Sequence, residues 1–250
     1  KQEQRFLRDL NNVKNQDYVV LYNPDWLGTT YATKELFDSI LPLEEVQCEK
    51  YSIKVVEELA NSNFKLVVFS ALAKGWSDIA RKLKAKKEDV SIKVIWHGSN
   101  SMHIEEYDWD RFSEMFKLYN DGIIDSLCFV KKSMADFYKQ KGYRTEFLMN
   151  NVHIDNINIK SDKKDYEGIK IGIYASGDRW VKNFYNQLCA TSLFEKAIVD
   201  CVPTSQKVFD FAELLDLNVS GNIESLPREQ LFYRMAENDL NMYVPFTECA

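Results

Sequence analysis

Four loops carry the residues best suited to chemistry. Trp96-His97-Gly98-Ser99-Asn100 places a histidine and a glycine directly after an apolar run, 92–96. A ring nitrogen there can donate a hydrogen bond to a developing charge, and the glycine lets a phosphate or sugar come close. Pro24-Asp25-Trp26-Leu27-Gly28-Thr29-Thr30 follows another such run and precedes a helical pattern, so Gly28 could admit a ligand to the backbone at a helix start. Ala175-Ser176-Gly177-Asp178-Arg179-Trp180-Val181-Lys182-Asn183 combines Gly177 with two cations before a helix, which suits a diphosphate. Lys182, at the helix start, is the stronger of the two cations. Glu248, after the final apolar run, could accept hydrogen bonds from sugar hydroxyls. Each also has a plainer reading: a turn histidine, an ordinary capped loop, surface charges, a solvated carboxylate.

Other charged groups read as structural. Asp108-Trp109-Asp110 precedes a helical pattern, where aspartate caps the end and complements the dipole. Lys131-Lys132 opens a helix, and Lys82, Lys84, Lys86 and Lys87 read as a solvated helix end. His103 and His153 lie in polar loops, so no histidine metal site is expected. No G-x-S-x-G, P-loop, H-E-x-x-H or zinc spacing occurs, and there is no full G-x-G-x-x-G.

Strands and helices must hold these loops. Phe6, Leu10 and Val13 predict an amphipathic helix within 1–17. From Tyr18 onward, short β-rich runs alternate with helical stretches. The predicted strands are 18–22, 46–51, 65–69, 92–96, 126–130 and 145–149. Leu36, Phe37, Ile40 and Leu41 predict one helical face between the first two strands. Phe112, Met115, Phe116 and Tyr119 predict another, and Met134, Phe137 and Tyr138 a third, closed by Gly142 as a left-handed cap. Residues 150–168, rich in Asn, Asp and Lys, break the pattern and read as the join between domains. A second series follows: strands 169–175, 197–202, 219–223 and 240–244, with helices 183–194, 206–217 and 228–238. The expected class is α/β, with two Rossmann-like domains and ligands at the carboxyl ends of parallel strands. The expected segments are a helix at 1–17, a domain at 18–155, a linker at 156–168 and a second domain at 169–250.

Composition narrows the function classes. The 250 residues are 45% hydrophobic, with net charge −6 and dispersed basic residues, which argues against nucleic acid as the main partner. Five cysteines stand far apart without a C-x-x-C. Cys48, Cys128 and Cys201, placed in predicted strands, read as buried hydrophobes of a reduced, cytoplasmic compartment. No apolar run approaches the roughly 20 residues of a membrane span, which leaves peripheral contact with a membrane surface open.

The order of these motifs resembles GT-B fold glycosyltransferases, specifically the glycosyltransferase 4-like group. Tyr22 to Gly28 and the helix after it look like the first glycine loop of the acceptor-side domain. Ile95-Trp96-His97-Gly98 is similar to that group's strand-end histidine. Residues 130–138 and 147–152 resemble the helix and strand that precede the linker. Lys182-Asn183 looks like the Lys-Gly or Lys-Asn after the first donor-side strand. Residues 227–248 resemble the segment that ends in the first glutamate of an E-x7-E pair.

The resemblance implies transfer of a sugar from a nucleotide-sugar donor to a glycan or lipid-linked acceptor, retaining and metal-independent, with no cofactor. A location at the inner face of a membrane would suit such an acceptor. His97 would contact the donor sugar or the transition-state charge. Lys182 would neutralise the diphosphate. Gly28, Gly177, Arg179, Asn183 and Glu248 would complete the donor site. The chain departs from the pattern in three places. Leu27 stands where a second glycine is common. Gly177 falls where an arginine is usual, with Arg179 out of register. The second glutamate would lie past Ala250. The second domain is therefore expected to be incomplete, and these residues alone to bind nucleotide weakly and turn over poorly or not at all. Two other readings stand beside the transferase: a non-catalytic GT-B-like binding or partner subunit, and an epimerase acting on a UDP-sugar. The epimerase would need clustered acids and histidines, and the chain has three histidines.

Overall fold

Alternating side chains sort the residues of each strand onto two faces, and the sorting differs between the two sheets of this protein. In a computed structural model, residues 2–151, 167–175, 180–202 and 204–246 are described, His103 by its backbone alone. They fall into two compact units, one within 2–151 and one within 167–246. The chain is α/β throughout, with parallel sheets of six and four strands.

The first unit runs α1 (Gln2–Val13), β1 (Tyr18–Tyr22), α2 (Leu27–Leu36), β2 (Ile40–Pro42), α3 (Glu49–Asn61), β3 (Leu66–Ser70), α4 (Trp76–Lys86), β4 (Ser91–Trp96), α5 (Glu106–Asn120), β5 (Ser126–Phe129), α6 (Lys132–Gln140) and β6 (Thr145–Phe147). Its strand order is β2-β1-β3-β4-β5-β6, all parallel. Val19, Leu21, Val67, Phe69, Val94 and Phe129 face the larger core, together with Phe6 and Leu10 of α1. Val20, Val68, Ile95 and Cys128 face a smaller one on the other side. Both faces are apolar, as parallel sheets require. The N-terminal helix thus belongs to the core of this unit.

The region around β2 corrects the sequence expectation. Ile40 and Leu41 are strand, paired with Val20 and Leu21, and end in Pro42 on an edge strand where its missing N–H is tolerated. The stretch 46–51 is no strand. Residues 49 onward form α3, whose buried Ser52, Val55, Val56 and Leu59 recur at helical spacing. Cys48 therefore precedes a helix and is exposed, while Cys128 and Cys201 are buried in strands. Gly142 takes φ 92° after α6, as a left-handed cap does.

The second unit runs β7 (Ile169–Ile173), α7 (Phe184–Thr191), β8 (Ala197–Cys201), α8 (Gln206–Leu214), β9 (Asn218–Gly221), α9 (Arg228–Ala236) and β10 (Leu240–Met242), in the order β10-β7-β8-β9. Ile171, Ile173, Val199, Cys201, Phe184, Leu188 and Val208 make an apolar core on one face. The alternate positions Lys170, Tyr174, Asp200, Ser220 and Asn241 are polar: Tyr174, Ser220 and Arg234 of α9 donate to Asp200, Asn241 donates to the Met235 carbonyl of α9, and Lys170 bonds to Glu237 and Asp239 just after it. Gly172 lies among them: a Cβ there would come within 2.3 Å of Asn238 Nδ2 and 2.4 Å of Asn241 Oδ1. Most of the expected linker, together with Gly177, Arg179, Glu248, His153 and Cys249, lies outside the described residues.

Candidate functional site

Each sheet reverses direction once, and such a switch point opens a crevice at the carboxyl ends of two neighbouring strands. In the first unit, β2 lies on one side of β1 and β3 on the other. In the second, β8 and β9 extend to one side of β7 and β10 lies on the other.

At the first switch point the chain leaves β1 through Asn23, which is buried. Its Oδ1 accepts from the Asp25 amide at 3.0 Å, and its carbonyl accepts from the Thr30 hydroxyl at 2.9 Å. This Asx turn starts α2 without a side-chain cap. Gly28 is exposed, and a Cβ there would meet nothing within 4 Å. Neither space nor backbone angle demands glycine, so what remains is an open approach to the helix start.

β3 ends in Ser70, and β4 leads into His97, which is 4% exposed. The Ser70 hydroxyl lies 2.9 Å from His97 Nε2 and 2.6 Å from Thr33 Oγ1 of α2. His97 Nδ1 is buried and has no partner. Burial pushes the imidazole down to about 4 from its ordinary 6.5, so it is neutral at pH 7. Next to Ser70, Ala71 adopts φ 74°, a left-handed conformation costly for a residue with a Cβ. Strained residues of this kind concentrate at functional sites.

At the second switch point Trp180–Lys182 form one turn of 3-10 helix, and Lys182 is buried. Asn183 follows at φ 55° and ψ 33°, an angle that asparagine tolerates well. Three bonds join this turn to the segment after β10. Asn183 Nδ2 donates to the Val244 carbonyl at 2.9 Å, the Val244 amide to Gln187 Oε1 at 3.0 Å, and the Phe246 amide to the Val181 carbonyl at 3.0 Å. The rings of Trp180 and Phe246 lie 5.9 Å apart. Val181 and Asn183, on either side of Lys182, are thus bonded to the segment after β10.

No protein-family model matches the chain, and no curated protein matches it. Among solved structures it is similar to a UDP-N-acetylglucosamine 2-epimerase from Rickettsia bellii, at 11% identity. That match covers 84% of this chain and 68% of the epimerase, with a TM-score of 0.42. The functional reading therefore rests on this chain's own residues.

The remaining candidates are placed as structural groups. Asp108 lies in the first turn of α5, with Glu106. Lys132 pairs with Asp136 one turn on. The lysine run is partnered: Lys82 with Glu49 and Asp78, Lys84 with the Val90 carbonyl, Lys86 with Glu57, and Lys87 with the Ser62 carbonyl. Among the described residues no group of three or more His, Cys, Asp or Glu could hold a metal ion, and no helix is long and apolar enough to cross a membrane.

Sequence reasoning missed Thr33, Ser70 and Ala71. It also missed a network in the second unit. Asp200, fully buried in β8, accepts two bonds from Arg234, one at 3.0 Å from Nε, and a third from the Tyr174 hydroxyl at 2.6 Å. Asn238 donates to that hydroxyl at 2.7 Å. The one signal for it was a carboxylate inside an otherwise apolar strand, Ala197–Cys201.

Proposed function

We propose that the protein is a glycosyltransferase that moves a sugar from a nucleotide-sugar donor to a glycan or lipid-linked acceptor, retaining and without a metal. The observation that carries this reading is the second switch point, where Val181 and Asn183, on either side of Lys182, are bonded to the segment after β10. A cation at a helix start, in the crevice between β7 and β10, suits the diphosphate of a nucleotide-sugar.

Lys182 offsets the charge that grows on the diphosphate as its bond to the anomeric carbon breaks. The acceptor hydroxyl forms the new bond, and its proton leaves with the nucleoside diphosphate. Asn183 shapes the turn under the phosphates. Gly177, Arg179 and Glu248 keep their proposed places around the donor. The first switch point, with Gly28 and His97, is a separate candidate site suited to a hydroxyl-bearing ligand. The protein works in the cytoplasm or at the inner face of a membrane.

A thermal-shift panel of UDP, GDP, ADP and CMP and their sugars tests the reading. One nucleotide and its sugar should raise Tm selectively, and Lys182→Ala should abolish the rise. No shift with any member, or a shift unaffected by Lys182→Ala, would sink it.

A further inference from the structure

The hydrogen-bond chain at the first switch point fixes the orientation of its protons. The Thr33 hydroxyl lies 2.7 Å from the Thr29 carbonyl. A carbonyl can only accept, so the single proton of Thr33 is directed there. Thr33 Oγ1 must then accept from Ser70, 2.6 Å away, which uses the single proton of Ser70. Ser70 Oγ must in turn accept from His97 Nε2, at 2.9 Å. The neutral ring therefore carries its proton on Nε2, and Nδ1 is left as a bare lone pair. That lone pair is buried without a partner. An unsatisfied buried acceptor is costly, a reason to seek the donor it serves.

We infer that Thr33 and Ser70 are positioning residues that hold His97 as the Nε2–H tautomer, so that Nδ1 accepts a hydrogen bond from a ligand hydroxyl. The choice of a sugar as that ligand rests on the proposed function; the tautomer does not. The assignment reverses the role expected from sequence, in which the ring donates. A neutral Nδ1 repels a phosphate oxygen, which is also an acceptor, and favours a hydroxyl, which supplies a proton. Discrimination of this kind is strong, because the wrong group leaves a buried lone pair unpaired.

Nitrogen NMR of the 15N-labelled protein at pH 7 tests this, with His97 assigned by its absence in His97→Gln. The expected spectrum has a proton-bearing Nε2 and a pyridine-type Nδ1. Ser70→Ala should average the two nitrogens toward a tautomer mixture. UDP-glucose or GDP-mannose should shift Nδ1 toward a hydrogen-bonded position, and UDP or GDP alone should not. A proton on Nδ1 in the wild-type protein overturns the inference, as does an unchanged tautomer in Ser70→Ala. If Ser70→Ala fails to fold, the wild-type spectrum still decides. A sugar nucleotide that raises Tm yet leaves Nδ1 unmoved overturns the ligand assignment. If no sugar nucleotide binds, the transferase reading fails, while the tautomer, read without ligand, stands.

Discussion

Arg234 grips Asp200 with two nitrogens, Nε on Oδ2 at 3.0 Å and a terminal nitrogen on Oδ1, and this pair joins α9 to the polar face of the second sheet. No residue of α9 is itself buried, so the helix has little apolar area to hold it. Asp200 is buried and Arg234 partly exposed. Arg234→Met would leave a buried carboxylate with only Tyr174 and Ser220 beside it. The expected loss is about 3 kcal/mol in urea unfolding, with part of it recovered in Arg234→Met/Asp200→Asn. A loss below about 0.5 kcal/mol, the usual scatter of surface substitutions, would show that α9 is held by something else.

His97 makes stability fall in mild acid. Its folded value, about 4, lies below the ordinary 6.5, so the unfolded chain takes up a proton that the folded ring refuses. The contribution is fully present above pH 6.5 and is lost as pH falls from there to about 4. Its size is about 3 kcal/mol at most. Urea midpoints at pH 7 and pH 5 should differ more for the wild type than for His97→Gln. Equal slopes in the two proteins would remove the effect.

Ala71 should rank its own substitutions by backbone angle. At φ 74° a β-branched residue is strongly disfavoured, so Ala71→Val should lose roughly 2 kcal/mol or more. Ala71→Gly should stay within about 1 kcal/mol of the wild type, because relief of strain offsets lost methyl burial and added chain entropy. The order of the thermal midpoints checks this; valine above glycine would contradict it.

Asn183 separates turn geometry from attachment of the segment after β10. Asn183→Ala loses both a residue tolerant of φ 55° and the bond to Val244, for about 1–2 kcal/mol. Asn183→Gly keeps the angle and loses the side-chain bonds to Val244 and Asn186, for about 1 kcal/mol or less. Chemical denaturation of the two variants should resolve the difference.

The sequence reading succeeded where physics is local. Uninterrupted apolar runs such as Leu66–Phe69 are strands because both faces of a parallel sheet are buried. It failed at Ile40–Pro42, where three strand residues follow a helix so closely that their apolar side chains read as its next turn. Thr33, Ser70 and His97 were beyond its reach as a set. Lone hydroxyls in a helix and a strand are ordinary, and only the register of β1, β3 and β4 brings together residues 37 and 27 positions apart. Asp200 and Arg234 are related the same way: the buried carboxylate could be noticed, but its partner lies 34 positions on.

The strand order of the second sheet also bears on how the protein is made. β7 is synthesised first, and its neighbours on one side, β8 and then β9, follow directly, yet its neighbour on the other side is β10, which emerges after both. A nascent chain that folds as it leaves the ribosome therefore holds β7 as an open edge, with unpaired amides and carbonyls, until α9 and β10 arrive. The crevice that Lys182 and Asn183 help to form does not exist before that moment. Completion of the sheet and formation of that crevice are one event in this unit, so a translational pause before β10 would prolong the interval in which that edge can pair with another chain.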